Sequence, residues 1–191
     1  MPRANGAPGS DGRGGDTEGM SSAAATAPPS GPTEPSGPTG QPSPSAVFPV
    51  PDVLAFLTGR WTVERTLTDL ATGSAGTYRG TAEFRADGDG ARLLHVEDGE
   101  LDWNGTVNRA GRTLRLLPGP AGTAEVTFAD GRPFHDLDLR TGRWHTRHPC
   151  VADLYDGAFT VVSPDEWRVR WRTTGPAKEH VQHSVYRRRL S

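Results

Sequence analysis

The sequence predicts an all-β domain: an antiparallel up-and-down barrel of about ten strands preceded by one short N-terminal helix. Three observations predict it. Short segments of β-branched and aromatic residues recur from Arg60 to the C-terminus, Gly, Asp, Asn and Pro punctuate them, and one stretch alone has helical spacing. A closed sheet is preferred to an open one because closure removes exposed strand edges and encloses space in which a ligand can sit.

The elements follow in chain order. Residues 1–46 contain no Val, Ile, Leu, Phe, Trp or Tyr and carry the near-repeat SGPTEPSGPTG. Such a tail has nothing to bury against the entropy of ordering, so it is expected to be disordered, leaving 47–191 as one barrel domain. In PDVLAFLTGRW, Asp52 is placed to cap a helix whose Val53, Leu54, Phe56 and Leu57 supply an apolar side, and Gly59 to end it. Strand segments follow near RWTVERTLT, YRGTAEFRA, RLLHVEDG, LDWNGTVNR, RTLRLLP, TAEVTFAD, PFHDLDLR, RWHTRHPC, GAFTVVS, EWRVRWRTT and HVQHSVYRR. Alternation assigns their faces. Trp167, Val169 and Trp171 share an inward face opposite Arg168, Arg170 and Arg172, and His135 lies inward with Leu137 and Leu139, while Phe134 lies with Asp136 and Asp138.

Charge and composition narrow the function classes. A net charge of −2, from 21 basic and 23 acidic residues, provides no global field to attract nucleic acid or an anionic membrane. The basic run YRRRL reads as a solvated strand end. No apolar run approaches the ~18–20 residues a spanning helix requires, and a single cysteine excludes an intrachain disulfide. A cytoplasmic protein with a small-molecule partner is the expectation; oligomeric state is left open.

Two sets of residues carry a resemblance. A short helix followed by Gly59, Arg60 and Trp61, with a last strand ending SVYRR, resembles the calycin superfamily of lipocalin-like barrels. In those proteins a first-strand tryptophan plugs the barrel floor and a last-strand arginine packs across it, which implies Trp61 with Arg187 or Arg188 here. FLTGRWTVER, EDGEL from Glu97 to Leu101, FADGRPFHDLDL, HPCVADLYDG and GPAK are similar, over about residues 54–188, to the uncharacterised bacterial family called domain of unknown function 6314. That resemblance implies a fold and no activity.

The chemistry rests on the residues. The segment from Arg132 to Gly157 holds three of the six histidines and the only cysteine. His135, His145, His148 and Cys150 lack the compact pairs that define structural zinc, so no metal site is assigned. Haem, held in nitrobindin-like barrels by one interior histidine, would need His135 or His183 inside. Glu97, His148, Asp153, Tyr155 and Lys178 contain the groups for acid–base catalysis, with no nucleophile elbow or phosphate loop to direct them; catalytic residues are unassigned. The preferred reading is a pocket in which Arg65, Glu97, His135, His148, Tyr155 and Lys178 orient a polar or anionic head group and Trp103, Trp167 and Trp171 wall its apolar part. An enzyme acting on that ligand, haem binding and a non-catalytic interaction module are the alternatives.

Overall fold

The computed structural model describes residues 47–88 and 90–189. The tail expected to be disordered, residues 1–46, lies outside the described residues. Helix α1, Val53–Leu57, begins at Asp52, whose side chain accepts a hydrogen bond from the Ala55 amide at 3.0 Å. It ends where Gly59 takes a φ of 117°, a conformation costly for any residue with a Cβ.

Ten antiparallel strands follow: β1 Gly59–Asp69, β2 Ala75–Asp87, β3 Arg92–Trp103, β4 Thr106–Pro118, β5 Ala124–Phe128, β6 Pro133–Leu137, β7 Arg143–Cys150, β8 Asp153–Ser163, β9 Glu166–Gly175 and β10 Lys178–Arg188. They pair in the order β6-β5-β4-β3-β2-β1-β10-β9-β8-β7, a meander bent until its two end strands meet. Side chains stitch that seam. Trp144 Nε1 on β7 donates to the Asp136 carbonyl at 3.1 Å, and the Thr146 hydroxyl donates to the Asp136 carboxylate at 2.8 Å. Pro149 is tolerated in β7 because the strand is an end strand, laddered on the β8 side.

Two of the expected turns run through as strand. Asp98-Gly99 lies inside β3 and Ala110-Gly111 inside β4, and the hairpin between them turns instead at Asn104-Gly105, with φ values of 52° and 82°. The glycines serve close approach. A Cβ at Gly80 would stand 2.5 Å from the Asp98 carbonyl and 2.6 Å from the Tyr78 hydroxyl, so Gly80 facing Gly99 leaves room for the Tyr78 ring.

The barrel is closed at one end. Trp61 is fully buried, its indole N–H donates to the Leu57 carbonyl at 2.8 Å, and the Arg188 guanidinium lies 4.2 Å from its ring centre. Arg188 also donates to the carbonyls of Phe56 and Thr58, tying the last strand to the helix C-terminus, where free carbonyls favour a cation. Above this floor Phe84, Leu114, Leu116, Val126, Phe159, Val161, Trp167 and Val169 fill the interior.

Candidate functional site

The most polar part of the interior is a four-residue network drawn from four strands. Glu97 on β3 accepts from Arg65 Nη2 on β1 at 3.1 and 3.0 Å, from Arg112 Nη2 on β4 at 2.9 Å, and from the Tyr186 hydroxyl on β10. Both arginines also donate to the Tyr186 oxygen at 3.1 Å, and Arg65 Nε donates to the Ser184 hydroxyl at 2.7 Å. The ladder registers Trp61 with Arg188 and Arg65 with Ser184, so this layer sits above the floor by strand alternation alone. Stacking positions the rings: Tyr186 lies on Trp167 at 3.8 Å and His95 on Phe84 at 4.1 Å.

Charge in this layer is unbalanced. Burial would raise the Glu97 carboxyl, but Arg112, His95 and Arg65 outweigh it and hold it well below its ordinary value. Burial pushes the Tyr186 phenol up to about 12, and keeps the His95 imidazole below its usual value, hence neutral. Two guanidinium ions therefore face one carboxylate, leaving the cluster with one net positive charge.

Two cavities on its inner side adjoin it, and a third, about 300 Å³, touches Arg65 among the exposed Glu64, Thr66 and His183. The inner one, about 40 Å³, is bounded by Phe84, His95, Arg112, Phe134, His135 and Trp167 among others. That is room for roughly three waters. The outer one, about 240 Å³, lies away from the floor between Arg65, Leu67, Tyr78, Glu97, Leu101, Arg112 and Gln182. Arg112 borders both. Among the described residues, four buried side-chain polar atoms have no hydrogen-bond partner: Tyr78 Oη, His95 Nε2, Arg112 Nε and Trp167 Nε1. His95 Nε2 stands 3.5 Å from Glu97 Oε1, too long for a strong bond.

The residues singled out in the sequence fall into three places. Arg65 and Glu97 form the network. His135 borders the inner cavity, 5.4 Å from the Phe159 ring and 5.3 Å from that of Trp171, and burial lowers its pKa to about 4. His148 and Tyr155 sit 6.0 Å apart, ring to ring, on the paired β7 and β8, where Phe134 contacts both. They border neither of these two cavities. Lys178 is also away from the network: its ammonium is 2.5 Å from Asp153 in the turn region, raising its pKa chiefly through that hydrogen bond. One common cavity for all six is thus not what the fold builds.

Three further expectations change. Strict alternation places Phe134 outward, yet the β5–β6 register shifts from Val126↔His135 to Thr127↔Pro133, leaving Phe134 as the extra residue of a bulge. Phe134 and His135 consequently both turn inward, and Phe134 stacks on Trp171 at 5.3 Å. His183 is exposed on the outer face, so it offers no interior ligand for haem, and the space beside His135 is far below the ~300–1,000 Å³ of typical small-molecule sites. Trp103 packs over Gly76 and walls neither cavity. Among the described residues, no three His, Cys, Asp or Glu side chains stand together as a metal site, and no helix is long and apolar enough to cross a membrane.

Alternation would have found the missed members. His95 is two residues from Glu97 and Arg112 two from Leu114, each on the same face, while Tyr186 follows Ser184 on β10. What the sequence lacked was a sign of which face of RLLHVEDG is inner, since both faces carry apolar residues.

A family model matches residues 57–188 of the chain. The protein belongs to the family of unknown function DUF6314. None of the curated proteins matches this DUF6314 chain. Among solved structures it is similar to the S-type phycobiliprotein lyase from Guillardia theta, with a TM-score of 0.55 and 11% identity over 72% of this chain and 91% of the lyase. It is also similar to a protein of unknown function of the DUF3598 family from Nostoc punctiforme, TM-score 0.46, 13% identity over 75% of this chain and 51% of that one. At such identities the likeness of the DUF6314 barrel to the lyase is one of fold.

Proposed function

We propose that the barrel binds a small amphipathic molecule, its polar or anionic head beside the network of Arg65, Glu97, Arg112 and Tyr186 and its apolar part against Leu67 and Leu101. The observation that carries this reading is Arg112. It borders both cavities, keeps a buried Nε–H without a partner, and belongs to a cluster with one cation in excess. A barrel built for stability alone gains little from such a cluster, because buried ion pairs often stabilise less than apolar packing of the same volume.

The test is a thermal-shift screen of small metabolites on the full-length chain, with native mass spectrometry of hits. A ligand at 100 times its Kd stabilises the fold by about 2.7 kcal/mol, or roughly 8 °C in a domain of this size. Absence of any stabilising compound across acids, alcohols and amines of fitting size would overturn the proposal.

A further inference from the structure

The polar atoms around the inner cavity are unusual in kind. Trp167 Nε1 and Arg112 Nε can only donate, and His95 Nε2 donates in one of its two neutral tautomers. Trp167 and His95 are 5% and 4% exposed, and all three residues border the same cavity of about 40 Å³. Glu97 Oε1 lies 3.5 Å from His95 Nε2, while Trp167 Nε1 and Arg112 Nε have no hydrogen-bond acceptor. Glu97 already receives four hydrogen bonds from Arg65, Arg112 and Tyr186.

We infer that the ligand is a monocarboxylate, its carboxylate set beside Arg112 to accept from Arg112 Nε, Trp167 Nε1 and His95 Nε2, and its chain lying in the outer cavity. This rests on the reading of the barrel as a small-molecule binder and names the class of molecule. Three features select the class. A single negative charge brings the cluster to neutrality, whereas a phosphate dianion would leave a buried negative excess that low-dielectric surroundings penalise. The inner cavity has the size of a carboxylate group and not of a phosphate with its oxygens solvated. The outer cavity, about 240 Å³ and flanked by Leu67, Leu101 and Ala110, suits a short apolar chain. An alcohol or amine could not meet the donors equally well: an alcohol brings no charge, and an ammonium would place a third cation beside Arg65 and Arg112.

Octanoate, octanol and octyl phosphate, titrated calorimetrically into the full-length chain, test this. Octanoate should bind at least tenfold more tightly than either of the others. Trp167→Phe keeps the stack on Tyr186 and removes one donor; it should weaken octanoate by roughly tenfold more than it weakens octanol, the loss of a hydrogen bond to a charged group. Arg112→Met should abolish the preference for the acid, with circular dichroism confirming that each variant folds. Octanol binding as tightly as octanoate, or a Trp167→Phe variant that weakens both alike, overturns the carboxylate assignment and leaves the small-molecule reading standing. Octyl phosphate binding most tightly overturns the selection of a monoanion. Failure of all three probes to bind or to shift the melting temperature overturns the assignment, and only the broader metabolite screen then decides whether the small-molecule reading falls with it.

Discussion

Replacing Glu97 with Gln removes one negative charge and almost no volume from the centre of the barrel. Glu97 is 3% exposed and accepts two hydrogen bonds from Arg65, one from Arg112 and one from Tyr186. The amide retains one acceptor oxygen, and its NH2 group points donors at donors. Arg65 and Arg112 are then left as two cations with no countercharge in the cluster. Removing one partner of a buried ion pair costs about 3–5 kcal/mol, which corresponds to a fall in melting temperature of roughly 10–15 °C for a domain of this size. Urea unfolding at pH 7, followed by tryptophan fluorescence, measures it through Trp61, Trp167 and Trp171. The Glu97 contribution should be complete above its ordinary pKa and decline progressively from there until the pH has fallen through the lowered folded value, because the unfolded chain takes up the proton first. A loss below about 1 kcal/mol, the range of exposed pairs, would refute the view that this network is buried and charge-coupled.

Three other outcomes are expected. His135, with a folded pKa near 4, is kept neutral while the unfolded chain takes up a proton at its ordinary value, so its contribution is complete above about pH 6.5 and declines toward pH 4 by as much as about 3 kcal/mol; His135→Phe should flatten that part of the stability–pH curve. Gly80→Ala places a Cβ 2.5 Å from the Asp98 carbonyl and should cost about 1–3 kcal/mol by forcing β2 and β3 apart, seen in urea unfolding. Arg188→Ala removes a guanidinium lying 4.2 Å from the Trp61 ring and donating to the Phe56 and Thr58 carbonyls, and should lower stability by about 1–3 kcal/mol, with a shift in tryptophan emission as water reaches the floor.

Local rules made much of the fold legible. The Asp52 cap and the alternation of Trp167, Val169 and Trp171 against arginines each depend on residues a few positions apart. Glycine misled, because Gly99 and Gly111 look alike whether they turn the chain or let two strands approach, and the distinction rests on what lies across the sheet: Asp98, Tyr78 and the Glu97 carbonyl. Phe134 misled for a related reason. Strict alternation sends it outward, and a single unpaired residue between β5 and β6 reverses it.

Backbone chemistry written into neighbouring residues was thus enough for an antiparallel β domain with one capped helix, since hydrophobic period and turn preference act over a few residues. Closure decided the rest. It brought Arg65, Glu97, Arg112 and Tyr186 together from β1, β3, β4 and β10, with Arg65 and Tyr186 121 positions apart in the chain, and it carried His148, Tyr155 and Lys178 to a different place. Charge balance in a buried layer is a sum over side chains from distant strands. No local pattern encodes that sum, so the excess positive charge beside Arg112 became visible only when the barrel wall was complete.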